Sequence, residues 1–364
     1  MDCSIYVHIP FCESKCFYCA FASFSNIENE QKNYFENLEK EIKRDKHTAN
    51  IKSIYIGGGT PSFVDCNYIK KILDLLMKKY DIDKNAEITI EVNPNTINES
   101  KLTFYKKIGI NRLSIGVQSL NNLQLKRIGR LHNKKQAINC IKLAKKVGFK
   151  NISCDLLLGL EKENFWLLKK SLRPLMKNVT HLSCYMLQVE DNTKLKDLIE
   201  KKQIILPNED EVVNDYQRVI KYLNKHGFKQ YEISNFAKEG FECKHNLNYW
   251  ARGNYLGFGL AAHSFVGNKR WANAKTFDNY YKGIKKLEEV LTKQQIIEEI
   301  IMLGLRCDLG VDLDKLKKLG YDIQKNPNFN YLLENNILVK NKNIINLLPK
   351  YYGVSNLIIE KLLN

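Results

Sequence analysis

Six short apolar runs, each followed by a longer segment of 3.6-residue period, fill the first two thirds of the chain. The runs are Ile5 to Ile9, Ser53 to Ile56, Glu87 to Val92, Arg112 to Val117, Ile152 to Leu157 and His181 to Leu187. The periodic segments lie at about 28 to 46, 66 to 79, 98 to 107, 133 to 147, 163 to 177 and 209 to 226. Strand and helix in strict alternation build a parallel sheet, because parallel neighbours need a crossover between them. Six units are too few for a closed eight-stranded barrel and fit an open, partial (β/α)6 barrel of TIM type. A doubly wound sheet is disfavoured by where the polar and glycine-rich residues fall. They follow nearly every strand, at Phe11 to Cys19, Gly57 to Pro61, Asn93 to Thr96, Gln118-Ser119, Gly159 and Gln188. Barrel strand ends converge on one mouth, whereas a doubly wound sheet gathers its site at a single crevice.

The remainder divides in two. Residues 228 to 290 form an aromatic- and glycine-rich extension with Tyr249, Trp250, Tyr255 and Phe258 among Gly253, Gly257 and Gly259. Residues 291 to 364 read as helix, helix, helix, two short strands around Asn341 to Asn343, then helix, an order that resembles a small winged-helix α+β domain. The expected organisation is therefore a barrel over 1 to 227, an extension over 228 to 290 and a C-terminal domain over 291 to 364. A length of 364 residues agrees with more than one folding unit. With 44% hydrophobic and 27% charged residues the chain is neither disordered nor collagen-like nor a coiled coil.

The charge balance, 57 Lys plus Arg against 40 Asp plus Glu, gives +17 and invites a nucleic-acid partner. Location argues otherwise. The winged-helix-like end holds ten Lys plus Arg and eight Asp plus Glu, or +2, where a reading head would concentrate positive charge. Only nine of the 57 are Arg, and the Lys are scattered among Asn and Ile. No apolar run reaches the roughly 20 residues of a membrane span, and Met1-Asp2-Cys3-Ser4 opens without a signal pattern, so the expected compartment is the cytoplasm.

In that compartment ten Cys are read as ligands or core residues rather than as a disulfide framework. Cys3, Cys66, Cys140, Cys154, Cys184, Cys243 and Cys307 stand alone and are expected in the core. Cys12, Cys16 and Cys19 form CxxxCxxC directly after the first strand. Three thiolates at these spacings can hold three irons of a 4Fe-4S cluster and leave the fourth iron open. The alternative is zinc, which would recruit a fourth ligand; His8 is the local candidate.

The chain here resembles the radical S-adenosylmethionine proteins, whose hallmark is CxxxCxxC after strand one of a partial barrel. Tyr6-Val7-His8-Ile9-Pro10-Phe11-Cys12, Gly57-Gly58-Gly59-Thr60-Pro61-Ser62, Glu91-Val92-Asn93-Pro94, Arg112 to Ser119 (RLSIGVQS), Gly129-Arg130-Leu131-His132 and Tyr231 to Phe236 (YEISNF) are similar to the coproporphyrinogen dehydrogenase-like group. Within that group the porphyrinogen-oxidising enzymes carry CxxxCxxCxC and the haem chaperones CxxxCxxCxF. This chain reads Cys19-Ala20-Phe21, and His245-Asn246-Leu247-Asn248-Tyr249-Trp250 matches the chaperones' HNxxYW. It departs at Gly159-Leu160-Glu161, where the group usually has Gly-Leu-Pro, which puts that loop's conformation in question while leaving Asp155 in register.

The resemblance implies one 4Fe-4S cluster on Cys12, Cys16 and Cys19, and S-adenosylmethionine held by Tyr6, Gly58, Gly59, Thr60, Glu91, Gln118, Arg130 and Asp155. The residue types suit that ligand: Glu91 and Asp155 for its ammonium and hydroxyls, Arg130 for its carboxylate. Three successive Gly let a ligand approach the main chain, although the same run also reads as an ordinary turn. It further implies haem as cargo, with His245, Tyr249 and Trp250 as haem-binding candidates, and client haemoproteins such as respiratory cytochromes, the cytoplasmic membrane face being one place to meet them. On residue types alone, His245 beside two aromatics reads first as a hydrogen-bonded core corner, and only the HNxxYW resemblance reverses that order. The competing function is oxygen-independent coproporphyrinogen III oxidase, which uses the reduced cluster to cleave S-adenosylmethionine and abstract hydrogen from propionate side chains. Phe21 and HNxxYW speak against it.

Overall fold

A computed structural model describes residues 1 to 363. The six expected strands form, the first five longer and the last one residue shorter than expected, as β1 Asp2–Ile9, β2 Asn50–Gly58, β3 Asp81–Val92, β4 Arg112–Gln118, β5 Asn151–Leu158 and β6 His181–Met186. Each runs parallel to the next. The crossovers are α1 Gln31–Arg44, α2 Cys66–Lys79, α3 Glu99–Lys107, the pair α4 Asn122–Arg127 and α5 Lys134–Val147, and α6 Phe165–Met176. After β6 come α7 Lys194–Glu200 and α8 Glu209–Lys225. Side-chain caps mark the starts of α2 to α8, as Asn133 and Asn208 do with full capping boxes on α5 and α8, while α1 has none.

The two faces of these strands differ in chemistry. Ile5, Val7, Ile54, Ile56, Ile88, Ile90, Leu113, Ile115, Ile152 and Cys154 pack with helix residues such as Leu38, Ile72, Leu102 and Ile141 in one core. The alternate positions carry Ser4, Tyr6, His8, Ser53, Tyr55, Glu87, Thr89, Glu91, Arg112, Ser114, Ser153, Asp155, His181 and Ser183, and they pair across the sheet with one another. Barrel interiors are usually filled by branched aliphatic side chains. Here the lumen is polar, with period-two alternation in parallel strands that would otherwise be apolar throughout.

The extension is more regular than its composition suggests. It supplies β7 Lys229–Gln230, β8 Asn235–Ala237, α9 Lys244–Trp250, β9 Tyr255–Phe258, β10 His263–Val266, β11 Lys269–Asn273, α10 Phe277–Tyr281 and β12 Lys285–Val290. These strands continue the sheet at both edges, so that its order is β12-β11-β10-β9-β1-β2-β3-β4-β5-β6-β8-β7. β9 is parallel to β1, and β8 is antiparallel to β6. Leu256, Phe258, Leu260 and Tyr280 belong to the same core as the barrel, so the extension is built into it.

The C-terminal part has its own core, from Ile297 and Ile301 to Ile359 and Leu362. It contains α11 Lys293–Gly304, β13 Val311–Asp312, α12 Leu313–Lys318, α13 Pro327–Glu334, β14 Leu338–Asn341, β15 Ile344–Leu347 and α14 Ser355–Leu363. β13 adds a third strand to the expected pair, in the order β13-β15-β14. A seam joins this part to the extension, where the Ile233 amide donates to the Arg306 carbonyl at 3.0 Å and the Asp308 amide to the Tyr231 carbonyl at 2.8 Å. Among the described residues no helix is long and apolar enough to cross a membrane.

Candidate functional site at the barrel mouth

The loop after β1 carries the three cysteines, and backbone bonds hold it at the carboxyl ends of the strands. The Cys12 amide donates to the Phe24 carbonyl (2.8 Å), the Phe17 amide to Ile128 (3.0 Å) and the Thr60 amide to Phe11 (2.8 Å). Gly59 approaches so closely that a Cβ there would lie 2.9 Å from Cys12 Sγ. Cys12 Sγ accepts from the Thr60 hydroxyl at 3.6 Å, Cys16 Sγ from Arg130 Nη1 at 3.3 Å, and Cys19 Sγ lies 3.7 Å from Ser23 Oγ. Burial pushes the Cys12 thiol up, with the neighbouring Cys19 and Cys16 adding to the effect. Among the described residues no three His, Cys, Asp or Glu side chains converge on a single ion position.

The mouth is organised by Asn93, which the sequence placed among the polar residues after β3 without a role of its own. Its side-chain amide donates to Thr60 Oγ1 at 3.0 Å, and its Oδ1 accepts from Arg130 Nη2 at 2.6 Å. Arg130 also donates to the Gly116 carbonyl. One guanidinium thus contacts Cys16 directly and is tied to Cys12 through Asn93 and Thr60. An asparagine directly after a strand whose last residue but one is a carboxylate was the available signal.

Glu91 sits beneath the glycine loop. Its Oε1 accepts from Tyr55 OH at 2.9 Å and its Oε2 from the Gly58 amide at 3.0 Å. Gly58 has φ +120°, and a Cβ there would lie 2.6 Å from the His8 ring, so the position needs glycine. Burial, then the nearby Asp155, pushes Glu91 up to about 7, while the Tyr55 and Gly58 donors pull it back. Asp155 lies across the lumen, accepting from Ser114 Oγ at 3.3 Å, and burial raises it also. Tyr6 stacks on Tyr55, with centroids 6.2 Å apart, and bonds to His8 Nδ1 at 3.1 Å. Gln118 ends β4 with φ +62°. Tyr6, Gly58, Gly59, Thr60, Glu91, Gln118, Arg130 and Asp155 all lie along the lumen or at its carboxyl-end rim. In the loop in question, Gly159 takes φ +84°, the Glu163 carboxylate accepts from its amide at 2.7 Å, and Glu161 forms a two-point ion pair with Arg127.

The HNxxYW residues lie elsewhere, away from the mouth. Helix α9 closes the amino-end floor of the barrel. His245 is 1% exposed. Its Nδ1 lies 2.9 Å from Ser53 Oγ, whose own proton goes to Ser4 Oγ, so Nδ1 carries the ring proton and Nε2 accepts from Tyr249 OH at 3.0 Å. Burial, and secondarily the Arg112 charge, push the imidazole down to about 3. With both nitrogens engaged and no solvent access, His245 presents no lone pair to an iron, and it is a core residue in this arrangement. Tyr249 stands edge-on to Tyr255 at 4.7 Å, and the Trp250 indole faces the Glu232 carboxylate at the seam. Cys243, expected as an inert core thiol, joins this floor by donating to Glu87 Oε1 at 3.3 Å. The buried Arg112 guanidinium lies 3.9 Å from the same carboxylate group.

Comparison with known proteins agrees with this geometry. The model of the radical SAM superfamily matches residues 6–175, and that of the HemN C-terminal domain matches 291–325. The chain is 32% identical to the heme chaperone HemW of Lactococcus lactis, over 99% of this chain and 97% of the relative. It is 37% identical to the heme chaperone HemW of Bacillus subtilis, over 85% and 84%. It is 33% identical to the mouse radical S-adenosyl methionine domain-containing protein 1, mitochondrial, over 85% and 74%. Coproporphyrinogen III oxidase (HemN) from Escherichia coli shares the fold, with a TM-score of 0.83 at 22% identity over 99% of this chain and 88% of that one. A radical SAM domain implies a 4Fe-4S cluster and S-adenosylmethionine. On these matches the chain belongs to the radical SAM superfamily and, within it, to the HemW family.

Proposed function

We propose that the chain is a haem chaperone that holds one 4Fe-4S cluster and S-adenosylmethionine at the barrel mouth, binds haem, and passes it to client haemoproteins in the cytoplasm or at the cytoplasmic membrane face. Support for the cofactor half comes from the donor set at the mouth. Cys16 Sγ accepts from the Arg130 guanidinium, and a glycine loop leaves the space next to Cys12 clear. Cys12, Cys16 and Cys19 would hold the cluster. Arg130 would face the carboxylate of S-adenosylmethionine, Glu91 its ammonium, and Asp155 its ribose hydroxyls, with Tyr6, Gly58, Gly59, Thr60 and Gln118 around it. When bound, the cluster is an electron source for the sulfonium. The chain's own residues bind and orient, and the polar lumen keeps the carboxylates paired or hydrogen-bonded.

The observation that carries the haem half is the name shared by relatives that span almost the whole chain. We infer further that a residue other than His245 ligates the haem, since Ser53 and Tyr249 engage both of its ring nitrogens, and that the HNxxYW helix contributes as the floor of the barrel. Adding haem to the anaerobically reconstituted protein, with coproporphyrinogen III in a parallel tube, tests the reading. The expected result is about four irons per chain, a Soret band at stoichiometric haem, and no protoporphyrinogen IX. Turnover of coproporphyrinogen III at about one per second or faster would make the chain an oxidase instead.

A further inference from the structure

The lumen joins the two motifs that the sequence keeps apart. Tyr55 is the joint. Its hydroxyl donates to Glu91 Oε1 at 2.9 Å, and Glu91 in turn receives the Gly58 amide at 3.0 Å, so the direction of the phenol fixes the carboxylate under the glycine loop. The ring of Tyr55 packs against two others: Tyr6, at 6.2 Å and 22°, and His245, at 5.1 Å and 31°. His245 cannot turn away, because Ser53 and Tyr249 hold its two nitrogens. We infer that His245 is a positioning residue for the nucleoside site, acting through Tyr55 on the Glu91 carboxylate. HNxxYW therefore tunes the cofactor end of the barrel from its floor. The inference rests on the reading of Glu91 as a ligand of S-adenosylmethionine.

A relay of this kind has a signature that general loosening of the fold lacks. If His245 acts through Tyr55, then once the phenol is gone the imidazole has nothing left to position. Equilibrium dialysis of labelled S-adenosylmethionine against anaerobically reconstituted protein is expected to show roughly three- to tenfold weaker binding for Tyr55→Phe, which deletes one hydrogen bond to a carboxylate. His245→Ala is expected to weaken binding in the same direction, and the double variant to bind no worse than Tyr55→Phe alone. His245→Asn, which can still bond Ser53, covers the case in which the Ala variant does not fold.

The pH profile gives a second readout. The groups around Glu91 are Tyr55, Tyr6, His8, Asp155 and Arg112, and only the Tyr55 hydroxyl is altered. The rise in affinity as Glu91 ionises should therefore move to higher pH in Tyr55→Phe, because a donor to the charged form has gone. Fully additive losses, or a Tyr55→Phe profile that coincides with the wild type, overturn the relay. Unchanged affinity in Glu91→Gln overturns the site reading itself, and the relay with it.

Discussion

A Cβ on Gly59 would lie 2.9 Å from both the Cys12 sulfur and the Phe11 carbonyl oxygen, and neither neighbour has room to withdraw. Gly59→Ala is therefore expected to cut iron uptake on anaerobic reconstitution, with Gly353→Ala, which meets nothing within 4 Å, as the control. Full iron content in Gly59→Ala would mean that the metal is held away from this loop. Arg130 makes a second residue-scale case. It is the shared partner of Cys16, Asn93 Oδ1 and the Gly116 carbonyl, so Arg130→Ala removes a charge and leaves Asn93 Oδ1 without its donor at once. Binding of S-adenosylmethionine should weaken by about 1 to 3 kcal/mol in calorimetry or dialysis, the usual cost of losing a charge-assisted contact. Unchanged affinity would place the ligand's carboxylate elsewhere. The thiols and the glycine loop were legible in the sequence because few other roles need those residue types at those spacings. Asn93 was not, since an asparagine after a strand ordinarily serves a turn. The place of His245 was not either, because the order of residues along a chain does not say which end of a barrel a helix closes.

The β/α units announced themselves through periodicity, and their boundaries moved by only a few residues. The strands between 229 and 290 did not. They are two to six residues long, too short to establish alternation, and β12 reads Lys-Lys-Leu-Glu-Glu-Val, which resembles a solvated helix face as much as a strand. Helices were better marked because their starts are chemical. On α8, Asn208 accepts from the Glu211 amide at 2.8 Å while Glu211 returns a carboxylate to the Asn208 amide at 3.2 Å. Asn208→Ala should lower stability by about 1 kcal/mol in thermal or denaturant melts and leave iron content unchanged. A loss of iron as well would show that α8 supports the mouth more directly than its position on the outside implies.

Over the whole molecule, buried carboxyls set the response to pH. Glu91 and Glu232 are pushed up to about 7 and Glu163 to about 8, in each case first by burial. A carboxyl raised in the fold above its ordinary 4.5 favours the protonated state there. Its stabilising contribution is complete below about pH 4.5 and is lost as pH rises through 7 to 8, at about 1.4 kcal/mol for each tenfold gain in proton affinity before relaxation. The buried His132 and His245, pushed down by burial to about 4 and about 3, oppose this trend below pH 6.5 and add no slope above it, so the melting temperature should fall between pH 6.5 and 8. Glu232→Gln, at the seam with the C-terminal part, should gain on the wild type progressively over that range. Parallel melting curves would return Glu232 to the ordinary carboxylate range. The sheet's order has a separate consequence. A twelve-stranded open sheet has two ends, and an exposed end is a template on which other chains can pair. One end here is β7, two residues long, and the other is β12, with four charged side chains in six residues. The segment that closes the barrel floor thus also leaves the sheet with no long apolar margin, and the open barrel resists edge-to-edge aggregation without having to close.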